Sequence, residues 1–178
     1  MSRPPMQLSN RGFELLKKYE EFKDKAYKDR KGVWTIGYGH TRNVKPGMTI
    51  DEPSASQLLN TESKRFDDRI NKYVKVPLNQ NQHDALVLFD YNTGGLASST
   101  LLKKLNTGDY KGAFNDELPR WNKVKDEKTK KYVVSPGLIN RRKYEQDLAN
   151  EPMPLMLKPE YLNLPKQPQQ QDEQEQGQ

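Results

Sequence analysis

The sequence predicts a single α+β domain, mostly helical, with one small sheet near its N-terminus. Three observations lead there. The chain has 178 residues, enough for one domain with a buried core. Periodic apolar segments separated by turn residues run to about Leu148, and one Gly-rich, β-like stretch, Ala26 to about Thr41, interrupts them. Beyond Leu148 the composition changes: Pro152, Pro154, Pro159, Pro165 and Pro168 break any helix, and a glutamine-rich acidic run closes the chain. The expected organisation is therefore a domain over 1–150 and a Pro/Gln-rich, disordered tail over 151–178, with Tyr161, Leu162 and Leu164 as the part able to dock. An apolar share of 33%, low for a globular domain, fits a chain that is partly unfolded.

The elements follow in order. Ser9 or Asn10 is a good N-cap for a first helix ending near Phe22. Helices are expected at Glu52–Val74, Gln80–Tyr91, Ser99–Leu105, Tyr110–Leu118 and Ser135–Leu148. Ala85, Leu88, Phe89 and Asn92 recur at helical spacing, Ser98 and Ser99 can cap the next helix, and Asn106-Thr107-Gly108 can end it.

Composition removes several chemistries. The chain has no cysteine, which excludes thiol catalysis and cysteine–metal sites and fits a reducing compartment. Two histidines, His40 and His83, are too few for a histidine-built metal centre. A formal charge of +6 favours polyanionic partners without choosing among nucleic acid, anionic lipid and cell wall. The longest apolar run, Ala85 to Phe89, is far short of a membrane span, and residues 1–10 contain no secretory signal, so no stable membrane association is expected.

The chemistry lies in Tyr19 to Thr41, YEEFKDKAYKDRKGVWTIGYGHT. At about 100° per residue, with Phe13 at zero, Phe22, Leu15, Tyr19 and Leu16 fall at roughly 180°, 200°, 240° and 300° on the first helix. Glu20 falls at about 340°, within that apolar arc, and Glu21 at about 80°, among Glu14, Lys17 and Lys18. A carboxyl on the buried side of a helix C-terminus is held in its protonated form by desolvation and by the helix dipole. That is the requirement for a general acid. Asp29, nine residues on, lies in the cationic turn Lys28-Asp29-Arg30-Lys31-Gly32, a setting that favours the carboxylate. An apolar-set and a polar-set carboxyl make the usual pair for glycosidic cleavage. In the next strand Val33, Thr35 and Gly37 point to one face and Trp34, Ile36 and Tyr38 to the other, which leaves Thr35 among small neighbours, able to hold a water. On spacing alone, the bland alternatives stay open: an ion-paired structural glutamate, a turn aspartate and tight glycine backbone.

The full string resembles the phage-type lysozymes, the endolysins of glycoside hydrolase family 24. Glu20, Asp29 and Trp34-Thr35-Ile36-Gly37-Tyr38-Gly39-His40-Thr41 carry the resemblance. It continues in family order through Val76 to Gln82, Asp84-Ala85-Leu86, Tyr91-Asn92-Thr93-Gly94, Ser99 to Leu102, Leu105-Asn106-x-Gly108, Pro119-Arg120-Trp121 and Gly137-Leu138-x-Asn140-Arg141-Arg142. It covers about residues 9 to 148. The resemblance implies a lysozyme-like fold with a cleft between the sheet lobe and a larger helical lobe. It implies hydrolysis of the β-1,4 bond between N-acetylmuramic acid and N-acetylglucosamine in peptidoglycan, with inversion and no cofactor. Glu20 is then the general acid, Asp29 and Thr35 hold the attacking water, and Arg141 is the arginine paired with the glutamate. Tyr38, Asn92 and Trp121 are candidates for saccharide binding, although Tyr38 can equally be a packing residue. His40 is expected to be structural and His83 a surface position. The family commonly has Gly after the catalytic glutamate; here Glu21 stands there and remains a second candidate acid. A monomer is expected, waiting in the host cytoplasm until a holin, implied by the resemblance, opens the membrane to the wall. Three other readings are a non-catalytic wall-binding module, a nucleic-acid binder and a lytic transglycosylase. Retention of Glu20, Asp29 and Thr35 argues against the first and third. Basic residues scattered among acidic ones, with no nucleic-acid motif, argue against the second.

Overall fold

A computed structural model describes residues 3–152, and the expected tail beyond Pro152 lies outside the described residues. Among the described residues five α-helices carry the fold: α1 Asn10–Glu20, α2 Glu52–Tyr73, α3 Gln80–Thr93, α4 Thr100–Asn106 and α5 Pro136–Asn150. Between α1 and α2 a hairpin of β1 Lys23–Lys28 and β2 Trp34–Gly37 pairs antiparallel, with Tyr27 opposite Thr35 and Lys28 opposite Trp34. The expected mainly helical α+β architecture with an N-terminal sheet is what the chain adopts.

Helix starts follow the capping chemistry in the sequence. Ser9, Asp51, Asn79, Ser99 and Ser135 each accept a first-turn amide through the side chain, and Asn79 with Gln82 completes a capping box. Ser9 also ties α1 to α3, since its amide donates to Asp84 Oδ1 at 3.0 Å. Gly12 lies where this joint closes: a Cβ there would stand 2.7 Å from Asp84 Cγ, so only glycine fits.

Helix α3 is the hub, with every residue from His83 to Asp90 buried. Leu86, Val87, Leu88 and Phe89 pack against Leu16 of α1, Leu59 and Ile70 of α2, and Leu101 and Leu105 of α4. Full burial of each such side chain contributes about 1.5–3 kcal/mol. A helix enclosed on all sides explains a correction. His83, expected at the surface, is 0% exposed, and its Nε2 bonds Asp67 Oδ1 of α2 at 2.8 Å. The same enclosure gives Asp90 a partner, Arg69 Nε at 2.6 Å.

Three further departures have local causes. Helix α1 stops at Glu20, two residues short of expectation, because Glu21 takes φ 51° and turns the chain so that Phe22 meets Tyr38 at 5.5 Å. The expected helix at Tyr110–Leu118 is wound wide over Gly112–Glu117 and tightens over Leu118–Arg120, where Pro119 supplies no amide. The sheet at the N-terminus is joined by a second one, which the sequence reading left out. Strands β3 Lys123–Lys125 and β4 Tyr132–Val134 form an exposed hairpin just before α5.

Candidate active site

Glu20 is the last residue of α1, at the junction of the sheet hairpin and the helical part. Its side chain is 22% exposed, whereas that of Glu21 is 74% exposed and meets only Lys23 Nζ at 3.9 Å. Helical phase predicts the inward Glu20; Glu21 is outside for another reason, having left the helix at φ 51°. Burial raises the proton affinity of Glu20 above the ordinary carboxyl range; Arg141 opposes the rise and the carboxylate of Glu62 adds to it. Gly39, at φ 82°, lets the turn after β2 run against the carboxyl, its Cβ position being 3.6 Å from Glu20 Oε2.

Arg141 Nη1 lies 3.6 Å from Glu20 Oε1. It is held from three sides: Nε donates to Glu145 Oε1 at 3.2 Å, Nη2 to the Leu88 carbonyl at 3.0 Å, and the guanidinium lies 4.6 Å from the centre of the Tyr19 ring. Glu145, fully buried, serves both arginines of the pair, with Arg142 Nη2 at 3.1 Å. Arg142 Nε also lies 2.8 Å from Glu145 Oε2, but off line for a hydrogen bond, so that contact is ionic. Arg142 in turn donates to Asn92 Oδ1 at 2.7 Å. A single buried cluster thus joins Glu20 to Asn92 at the surface.

Asp29 opens the β1–β2 turn. Its Oδ1 accepts the amides of Lys31 at 2.8 Å and Val33 at 2.9 Å, which fixes the carboxylate and leaves these bonds off Oδ2. Thr35 is only 4% exposed, and its hydroxyl donates to the Val33 carbonyl at 3.0 Å. Donation there leaves the lone pairs of Oγ1 free to accept.

Trp121 stacks edge-on to Phe89 at 5.2 Å and lies over Gly95, where a Cβ would come within 2.4 Å of the ring. With Asn92, Thr93, Lys123, Val124, Tyr132 and others it lines an open cavity of about 720 Å³. A second depression of about 420 Å³, between the N-terminal segment, α1 and α2, is lined by none of the candidate site residues. Tyr38 does not join the first cavity. It is 8% exposed, packs in the core and donates its hydroxyl to Glu52 Oε1 at 2.9 Å, so packing is its place. His40 bonds Glu62 Oε1 through Nδ1 at 2.5 Å and the Arg42 carbonyl through Nε2 at 3.0 Å, a structural arrangement that fixes the turn beside Glu20. The sequence reading gave no role to Glu62 or Glu145, and quoted Arg142 only as part of a motif. Of these, Glu145 left a signal, its spacing three and four residues after Arg142 and Arg141 on one helix. Among the described residues no cluster of His, Asp and Glu could hold a metal ion. Nor is any described helix long and apolar enough to cross a membrane.

The chain resembles known proteins over this same region. An endolysin of Acyrthosiphon pisum secondary endosymbiont phage 1 is 43% identical over 145 residues, 80% of this chain and 97% of that one. The endolysin of Bacillus phage B103 is 40% identical over 148 residues, and there the chain spans only 54% of the relative's length. Among solved structures, an endolysin from Escherichia coli O157:H7 phage FAHEc1 superposes with a TM-score of 0.77 at 38% identity, covering 83% of this chain and 96% of that one. The family described as Phage lysozyme matches residues 17–145, which take in Glu20, Asp29, Thr35, Arg141 and Glu145. The chain belongs to the phage lysozyme family.

Proposed function

We propose that this chain is an endolysin that hydrolyses the β-1,4 bond between N-acetylmuramic acid and N-acetylglucosamine in peptidoglycan, with Glu20 as its general acid. The observation that carries the reading is the contrast between two carboxyls. Glu20 is partly shielded, with desolvation raising its proton affinity, while Asp29 sits on a polar turn with one oxygen fixed by two amides.

Glu20 donates its proton to the glycosidic oxygen as the bond to the anomeric carbon breaks. Arg141 keeps the carboxyl in place and balances the charge left behind. A water held between Asp29 Oδ2 and Thr35 Oγ1 attacks the anomeric carbon from the opposite face and gives its proton to Asp29, so that the configuration inverts. Asn92 and Trp121 bind the saccharide, and the formal charge of +6 helps hold an anionic wall. The enzyme works as a monomer without a cofactor and reaches the wall after a holin breaches the membrane.

Mass spectrometry of the muropeptides released tests this. Water attack leaves a reducing muramic acid end. A 1,6-anhydro end would make the protein a lytic transglycosylase, and no soluble product would leave a wall-binding module.

A further inference from the structure

The β3–β4 hairpin takes no part in this chemistry, and its surface is unusual. Lys123 pairs with Val134, Val124 with Val133, and Lys125 with Tyr132. Tyr132 is 71% exposed, and Val124, Val133 and Val134 are exposed as well. An exposed hairpin is normally trimmed of such side chains unless they bind something. The charge is as one-sided as the apolar content. Lys123, Lys125, Lys128, Lys130 and Lys131 stand against Asp126 and Glu127. Asp126 is engaged in the turn, accepting the amides of Lys128 at 3.0 Å and Thr129 at 2.6 Å. The one ion pair within the hairpin, among the described residues, joins Lys130 to Glu127 at 3.3 Å.

The hairpin is also rigidly based. The Ser135 amide donates to the Asn122 carbonyl at 2.8 Å, and the Ser135 hydroxyl caps α5. Trp121, just before β3, is wedged between Phe89 and Gly95. The cavity of about 720 Å³ runs without a break from Asn92, Thr93 and Trp121 to Lys123, Val124 and Tyr132. Whatever binds along Trp121 therefore passes onto the hairpin.

We infer that the β3–β4 hairpin is a docking surface for the acidic peptides carried by the glycan strand being cut. The inference rests on the glycosidase reading above. A muramic acid bears a short peptide through its lactyl group, and that peptide ends in free carboxylates. With the sugar at Trp121, the peptide projects from the cavity. Lysine ammoniums without an ion-pair partner among the described residues meet its carboxylates there, and Tyr132 with the valines covers its aliphatic parts. A neutral polysaccharide would leave the lysines without a purpose. An anionic membrane would use both charge and valines, but it would not explain why the surface continues the cavity.

The test compares steady-state kinetics on solubilised glycan strands that keep their peptides with kinetics on the same strands stripped by an amidase. The variants are Lys123→Gln/Lys125→Gln and, separately, Tyr132→Ala, with melting temperature checked for each. On peptide-bearing strands KM should rise about tenfold for the double variant and a few-fold for Tyr132→Ala, with kcat within about twofold; the loss should shrink at high salt. On stripped strands neither constant should change. Unchanged KM in folded variants would overturn the inference, and an equal rise on both polymers would assign the surface to sugar. Binding of phosphatidylglycerol vesicles that the double variant loses, with KM unaltered, would assign it to lipid. Failure of the wild-type protein to cleave either polymer would defeat the glycosidase reading instead.

Discussion

Glu21 is a residue in a backbone conformation made for glycine, and replacing it separates the two adjacent glutamates. Its φ of 51° and ψ of 134° lie outside every well that a side-chain-bearing residue prefers. The turn is needed because it ends α1 at Glu20 and brings Phe22 onto Tyr38. The side chain returns little, since its contact with Lys23 at 3.9 Å is between exposed groups and such pairs are worth almost nothing. A strained non-glycine residue costs about 1–3 kcal/mol, and glycine gives back about 0.4–1 kcal/mol through its freer unfolded chain. Glu21→Gly should therefore stabilise the protein by about 1 kcal/mol, or roughly 2–4 °C in melting temperature for a domain of this size. Calorimetry measures the shift, and a turbidity assay on purified peptidoglycan measures activity, which should be retained. A lower melting temperature would show that no strain is stored at Glu21. Loss of activity in the folded variant would make Glu21 the working carboxyl.

Two other substitutions probe the surroundings of Glu20, and a third the seat of Trp121. Glu62→Gln removes a negative neighbour that adds to the proton affinity of Glu20, so the alkaline limb of the kcat/KM profile should move to lower pH; an unmoved limb would refute that coupling. Glu145→Gln leaves two buried guanidiniums facing an amide, and should cost about 3–5 kcal/mol, read as a lower urea midpoint at unchanged m. Gly95→Ala forces the Trp121 ring aside and should cost about 1–3 kcal/mol while raising KM more than it lowers kcat; equal stability would mean that the ring yields freely.

What the sequence made legible was local. Helical phase set Glu20 inward, and the capping residues Ser9 and Ser99 marked two helix starts to within a residue, whereas Glu21 points outward because it has already left the helix. Asp29 reads as a turn residue and is one. What stayed hidden depends on partners distant in the chain. His83 is polar in a helix whose surroundings are buried on every side, and only Asp67, sixteen residues away, makes that tolerable. Glu62 becomes a neighbour of Glu20 through α2 packing against the turn at His40, which no periodicity encodes. Tyr38 lies just past the end of β2, beyond Gly37 at φ 65°, so strand alternation does not set its direction; Glu52 and Phe22 do. The β3–β4 hairpin escaped because its strands are three residues each, too short for alternation to stand out.

The central claim is that a protonated Glu20 breaks the glycosidic bond, and the most direct measurement is turnover of purified peptidoglycan by Glu20→Gln beside Glu21→Gln, at matched circular dichroism. The amide in Glu20→Gln has the shape of the acid but no proton to donate at working pH, so release of reducing ends should fall by at least about a hundredfold, while Glu21→Gln stays near wild type. Near-normal turnover by folded Glu20→Gln, or collapse of Glu21→Gln alone, would contradict it.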